Sequence, residues 1–210
     1  MTARCQLCLT IDVTDDARLT ANLAAALEAA PASSVTFRGA SNTAALKLLV
    51  DLAQRRGAAA LIDGEHELVR SVNADGAHVG WIKDVVPAYR ATRGLLGERY
   101  IVGADAGRSR HDAMEIGEAG GDYVAFGIPA HVGDRATAEA RQIELVAWWS
   151  DIFEPPVVAY DVVDADHARA LADAGADFVA VTLPADVDAK EVRDWIAPFA
   201  AAISLAGKAV

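Results

Sequence analysis

Gly120-Gly121-Asp122-Tyr123-Val124-Ala125-Phe126-Gly127 is the stretch on which the fold turns. It is echoed by Asn73-Ala74-Asp75-Gly76-Ala77-His78-Val79-Gly80 and by Gly175-Ala176-Asp177-Phe178-Val179-Ala180-Val181-Thr182. Each copy follows a helical, alanine-rich segment and runs into a short apolar strand. The glycines and alanines allow a tight helix-to-strand turn, where an aspartate can bond backbone amides. Asp75, Asp122 and Asp177 are 47 and 55 positions apart, which is two strand–helix units each time. These three aspartates therefore read as structural groups at the N-terminal ends of strands.

Working outward, β-type runs alternate with helical segments along the whole chain. The pattern predicts strands over Gln6–Asp12, Val35–Arg38, Ala59–Asp63, Gly76–Gly80, Tyr100–Gly103, Tyr123–Gly127, Val157–Asp161 and Phe178–Thr182, with a last helix from Ala189 to Leu205. Eight strands, each followed by a helix, make a single (β/α)₈ TIM barrel over residues 1–210. An open doubly wound sheet ranks second, because no G-x-G-x-x-G follows the first strand. The composition agrees. Hydrophobic residues make up 53% but aromatics only 6%, which suits a parallel sheet covered by alanine-faced helices. Glu154-Pro155-Pro156 is a stiff lead into strand seven rather than a linker.

The net charge of −11 disfavours nucleic acid and anionic membrane surfaces as partners, since neither is met without a basic face. The opening ten residues carry no signal-peptide core, and no run of about 18 apolar residues exists, so a cytoplasmic protein is expected. Cys5 and Cys8 have C-x-x-C spacing. On a strand, residues three apart point to opposite faces, so the expectation is two unlinked thiols.

In a barrel of this kind function sits at the C-terminal strand ends. Five aspartates fall there: Asp12, Asp63, Asp84, Asp105 and Asp161. Crowded carboxylates raise one another's pKa unless a cation joins them, which points to Mg²⁺ or a cationic ligand. The competing reading is that some of them cap the following helices. His66 and His131 lie on mouth loops and are acid/base candidates. His78, inside strand four, is expected to be packed and hydrogen-bonded, while His111 and His167 are expected to be solvated. Trp148, Trp149 and Trp195 are read as helix–helix or subunit packing, and a homodimer is expected from them.

The stretch from Leu61-Ile62-Asp63-Gly64 to Ala74-Asp75-Gly76-Ala77-His78-Val79-Gly80 resembles the thiamine-phosphate-synthase family, which also has a thiazole tautomerase branch. In that family a strand ending Ile-Asn-Asp precedes a helix and then Ala-Asp-Gly-Val-His-Leu-Gly-Gln-Glu-Asp. Ile101-Val102-Gly103 and Ala119-Gly120-Gly121-Asp122-Tyr123-Val124-Ala125-Phe126-Gly127 are similar to its Ile-Ile-Gly-Val-Ser and Ala-Gly-Ala-Asp-Tyr-Ile-Gly-Phe-Gly. The resemblance spans residues 35–182. It implies a cytoplasmic transferase of thiamine biosynthesis that joins a pyrimidine diphosphate to a thiazole phosphate with Mg²⁺. Arg38 would then meet the diphosphate, Asp63 and Asp84 the metal, and Gly103 and Gly127 the substrate. Lys83, His66 and Asp105 complete the candidate catalytic set.

The same comparison marks where the mouth departs. Thr36 and Ala40 replace the family's Gln and Lys around Arg38, and Gly64 replaces a metal aspartate. Asp105 lies where the family has Ser, Asp161-Val162 where it has Gly-Gly, and the Thr-x-Thr-Lys loop after strand six has no counterpart. A diphosphate needs cations and free backbone N–H groups, and each of these changes removes one or adds negative charge. Two readings follow: a synthase-like protein with a degenerate active site, or a divergent non-synthase barrel, catalytic or not.

Overall fold

The computed structural model describes residues 5–14, 16–39, 42–129 and 131–206. Eight parallel strands close into a barrel: β1 (Gln6–Asp12), β2 (Ser34–Arg38), β3 (Ala59–Asp63), β4 (Gly76–Val79), β5 (Ile101–Asp105), β6 (Val124–Phe126), β7 (Val157–Ala159) and β8 (Phe178–Thr182). Closure is made where Gln6 of β1 pairs with Phe178 of β8, which removes the open-sheet alternative. The helices are α1 (Leu19–Ala29), α2 (Thr43–Arg55), α3 (Leu68–Ser71), α4 (Val85–Leu96), α5 (Arg110–Glu118), α6 (Arg135–Ile152), α7 (Ala165–Asp173) and α8 (Ala189–Leu205).

Strand alternation divides the apolar residues into two cores. Leu7, Leu9 and Ile11 of β1 face outward into the layer beneath the helices. Cys8 faces inward with Leu61, Tyr123, Val158 and Tyr160. Cys5 and Cys8 therefore lie in different cores, and both are free thiols, as the strand geometry requires.

The repeated aspartates act across strands rather than within their own turns. Asp75 accepts from the amide of Ala60 on β3 at 2.8 Å, Asp122 from Val102 on β5 at 2.7 Å, and Asp177 from Val157 on β7 at 2.9 Å. Each clasps the strand before its own at the N-terminal face, and Arg93 adds an ion pair to Asp122. The repeat therefore fixes strand order at the end away from the mouth.

Strands β2, β4, β5, β6 and β7 differ from expectation by one or two residues at an end, and the changes in β5 and β7 matter for the mouth. β5 runs on to Asp105, which pairs with Ala125 of β6. β7 stops at Ala159, because Asp161 adopts φ +58, a left-handed conformation that ends the extended chain.

The tryptophans and two histidines also find their places. Trp149 is wholly buried, donates to the Pro155 carbonyl at 2.7 Å and stacks on Phe153. Trp148 lies beneath the Arg110 guanidinium, and Trp195 packs on Phe199. These are contacts within the chain. None of the three is among the large exposed hydrophobics, so the subunit-packing reading of them is not needed. His111 is exposed as expected. His167 is not solvated; it packs inside α7, only 6% exposed, and burial lowers its pKa. The amphipathic register of α7 turns that position inward.

Candidate active site

At the C-terminal ends of the strands the barrel opens into a cleft of about 850 Å³. Its wall takes Arg38 from β2, Asp63 from β3, Asp105 from β5 and Thr182 from β8. Tyr160 and Asp161 follow β7, and Trp195 reaches in from α8. Trp81 and His131 form part of the rim, their rings 5.4 Å apart. Three of the five predicted aspartates, Asp63, Asp105 and Asp161, line the cleft.

None of the five caps a helix through its side chain. That role falls to Asn42, Ser109, Asp134, Asp164 and Asp188. Asp84 stands at the start of α4 but makes no side-chain capping bond. It is exposed and lies outside the cleft lining, as does the exposed Lys83 beside it. Asp12 forms an ion pair with Arg38 at 2.9 Å. Both sit at the ends of paired strands, Asp12 opposite Arg38 in the β1–β2 register.

The floor is built from backbone outward. Asp105 Oδ1 accepts from the amides of Gly107 at 2.7 Å and Gly127 at 2.8 Å. Asp161 Oδ2 accepts from Ile128 N at 3.0 Å. A β-carbon on Gly127 would fall within 2.8 Å of carboxylate oxygens from both aspartates, so only glycine lets them converge there. Burial pushes Asp105 up to about 7, against the two amide bonds that lower it, and Asp161 adds to the rise. Burial raises Asp161 as well, opposed by the Ile128 amide and by Arg38 and Arg135. Near neutral pH the floor thus holds a carboxyl close to half-protonation.

Below the floor lies a polar column. His78 Nδ1 shares a hydrogen bond of 2.8 Å with the Tyr123 hydroxyl, and its ring stacks on Tyr160 at 4.3 Å. The Tyr160 hydroxyl in turn meets Thr36 Oγ1 at 3.0 Å. Burial lowers His78 to about 4, so its imidazole is neutral at pH 7. His78 is packed and hydrogen-bonded as its strand position implied, yet it also borders the cleft.

The other candidates divide between scaffold and rim. His66 commits both ring nitrogens, Nε2 to the His78 carbonyl at 3.1 Å and Nδ1 to Thr92 Oγ1 at 2.9 Å, so it braces the β3–α3 loop against β4 and α4. Gly103 leaves room for the Tyr123 ring, which a β-carbon there would overlap. Gly127 donates its amide to Asp105, as above. Asp63 Oδ1 accepts from Gly80 N at 3.2 Å. Ala40, which stands in the place of a lysine in the resemblance, lies outside the described residues.

Arg135, the first residue of α6, borders the cleft and reaches the Asp161 carbonyl at 3.4 Å. Nothing in its sequence setting marks it; only the helix it begins brings it to the mouth. Tyr160 is a second such residue, with its inward direction set by the barrel.

Asp63 ends β3 inside the cleft, whereas Asp84 is exposed at the start of α4 outside its lining, and no contact joins the two carboxylates. They do not make an all-protein cage. Among the described residues no group of three or more His, Cys, Asp or Glu is gathered to hold a metal. No helix among the described residues is long and apolar enough to cross a membrane.

Residues 7–184 match the family model described as thiamine monophosphate synthase. A thiamine-phosphate synthase of Rhodospirillum centenum is 38% identical over 164 residues, 76% of this chain and 78% of its own length. One of Hyphomonas neptunium is 40% identical over 131 residues, 62% of this chain and 58% of that relative. Among solved structures, the thiamine phosphate pyrophosphorylase of Pyrococcus furiosus superposes with a TM-score of 0.74 over 95% of this chain and 96% of that one. Its 22% identity makes that a likeness of fold.

Proposed function

The chain belongs to the thiamine monophosphate synthase family, and from that premise we propose that its mouth serves thiamine-phosphate synthesis with a weakened diphosphate site. The reaction joins a pyrimidine diphosphate to a thiazole phosphate. The carbon–oxygen bond to diphosphate breaks, and the thiazole nitrogen forms the new carbon–nitrogen bond. The single observation that carries the reading is the placement of Arg38 and Asp63 together in the large cleft of a barrel whose sequence matches that family from residue 7 to 184.

In this reading Arg38 neutralises the departing diphosphate, and Arg135 supports it from the opposite wall. Lys83 stands at the rim as a further cation. Asp63 and Asp84 would hold Mg²⁺, which supplies charge neutralisation at phosphate oxygens. His66, Gly103 and Gly127 shape the mouth, and Asp105 is the group able to hold or release a proton near neutral pH. The ligands are phosphorylated small molecules, and a cytoplasmic location goes with the proposal. A homodimer is a further part of it. A concentration-independent monomer mass in solution scattering would remove that part.

The weakening follows from charge. Asp105 and Asp161 put carboxylates on the floor, and the Gly127 amide is already spoken for. Losing one preorganised donor to developing negative charge costs about 100- to 1000-fold in rate. Incubation with both phosphorylated precursors and Mg²⁺, with thiamine phosphate quantified, should show slow turnover. A rate on the order of 1 per second or more, ordinary for enzymes, would refute the weakening. Failure of calorimetry to detect binding of either precursor would refute the synthase reading itself.

The alternative is a non-synthase barrel. The backbone-fastened carboxylate pair on the floor favours it, because that pair disfavours a phosphate at the same place. A thermal-shift screen in which non-phosphorylated ligands stabilise the protein and the precursors do not would support this alternative.

A further inference from the structure

The interior of a small barrel is ordinarily filled by stacked layers of bulky, branched side chains. In this chain the layer at the strand starts is incomplete. Cys8, Ser34 and Ala59 are register neighbours on β1, β2 and β3, so three adjacent strands present small side chains at one level. Tyr123, Val158 and Phe178 of the inner core line the same space without filling it. The result is a recess of about 290 Å³. It opens at the end of the barrel away from the mouth, since Ser34, Ala59, Ile101 and Phe178 are the first residues of their strands. Ser34, Ala59 and Phe178 are partly exposed there, and Ile101 is 36% exposed although apolar.

Few polar groups reach the recess, and those are already engaged. The Tyr123 hydroxyl bonds to His78, and the Tyr160 hydroxyl to Thr36. The Ser33 hydroxyl donates to Gln6. Asp122, at the rim, accepts from the Val102 amide and pairs with Arg93. Burial pushes the Cys8 thiol up to about 11, so it is uncharged at neutral pH. A charged guest would lose its water here and find no free counter-charge. An apolar guest meets no such cost, and an apolar cavity of about 150 Å³ is enough to hold benzene. A recess of nearly twice that volume accepts two fused rings, and the rings of Tyr123 and Phe178 give them flat faces to pack on. Tyr160 borders both the recess and the mouth cleft, so at that point one side chain separates the two spaces.

We propose that the recess at the N-terminal end of the barrel is a second ligand site, which takes an uncharged, flat, two-ring aromatic molecule against Cys8, Ser34, Ala59, Tyr123, Val158 and Phe178. The site is independent of how the mouth is used, and its test requires no turnover.

2-Naphthol is the probe, and 2-naphthoate is its charged counterpart. NMR titration of the whole chain with labelled isoleucine methyl groups reads the two spaces separately, because Ile101 lines the recess and Ile128 the mouth cleft. 2-Naphthol should shift the Ile101 methyl resonance saturably, with a dissociation constant of about 1 mM or tighter, reasonable for roughly ten non-hydrogen atoms. 2-Naphthoate should bind there at least tenfold more weakly. Ala59→Leu fills the gap and should weaken 2-naphthol at least tenfold. Ser34→Val is a smaller intrusion that should weaken it at least threefold, and it carries the test if Ala59→Leu does not fold. The absence of a saturable shift at Ile101 would overturn the inference, as would a shift at Ile128 alone. Equal affinity for 2-naphthoate, or an affinity unchanged in the folded variants, would overturn it too.

Discussion

Replacing Asp105 by Asn should stabilise the protein, and the gain should depend on pH. The carboxyl is 5% exposed and its pKa is pushed from an ordinary 3.8 to about 7, mainly by burial. Folded protein therefore holds this proton more tightly than unfolded chain. Stability due to protonated Asp105 is fully present below about pH 4 and is lost as pH rises through about 7. Three pH units correspond to about 4 kcal/mol, which is an upper figure for a site bordering a cleft. Asn keeps an acceptor for the Gly107 and Gly127 amides and carries no charge, so it escapes this loss. At pH 8 the Asn variant should be more stable by about 2–4 kcal/mol, or about 5–15 °C in Tm for a chain of this size. At pH 4 the two proteins should melt together. Urea or thermal denaturation of both from pH 4 to 8 tests this. A constant difference across the range, or an Asn variant less stable at pH 8, would refute the reasoning. The result would also show that the floor carries a stability cost, as functional sites commonly do.

Asp122→Ala removes the acceptor for the buried Val102 amide at the far end of the barrel; urea unfolding should show a loss of about 1–3 kcal/mol, with ligand affinity at the mouth unchanged. Gly103→Ala places a β-carbon into the Tyr123 ring and should cost about 1–3 kcal/mol in the same measurement. Because Tyr123 holds His78, the variant should also bind mouth ligands more weakly by calorimetry. With pyrophosphate present, Mg²⁺ should raise the Tm of the wild type, and Asp84→Ala should abolish the rise; equal rises in both proteins would mean that Asp84 is not a ligand.

The barrel was legible in the chain because its cause is local and repeated. The helix-to-strand copies around Asp75, Asp122 and Asp177 and the alternation of apolar runs with alanine-rich helices are properties of neighbouring residues. They place eight strands with little reference to distant parts of the chain. The resemblance located the mouth for the same reason: strand ends are sequence positions. That Asp63, Asp105 and Asp161 share one face follows directly.

Direction, partners and burial were settled only in three dimensions. Asp12 and Asp161 both read as strand ends in the chain, yet one meets Arg38 on the rim and the other lies beyond β7 and turns through a left-handed backbone into the floor. His66 and His78 differ in the opposite sense from their loop and strand settings. The loop histidine is bound at both nitrogens, while the strand histidine is bonded through Nδ1 to Tyr123 and borders the cleft. His167, which a helix-start position suggested was solvated, is buried. Gly127 reads in the chain as a strand end that would meet the substrate, whereas in the fold it is the gap that lets two carboxylates converge. A one-dimensional pattern specifies which face of an element a residue occupies. What that side chain meets, and therefore whether its charge is hydrated, paired or buried, depends on groups tens of residues away. Closure of the barrel brought Asp105, Asp161 and His78 around one floor, and their chemistry exists only there.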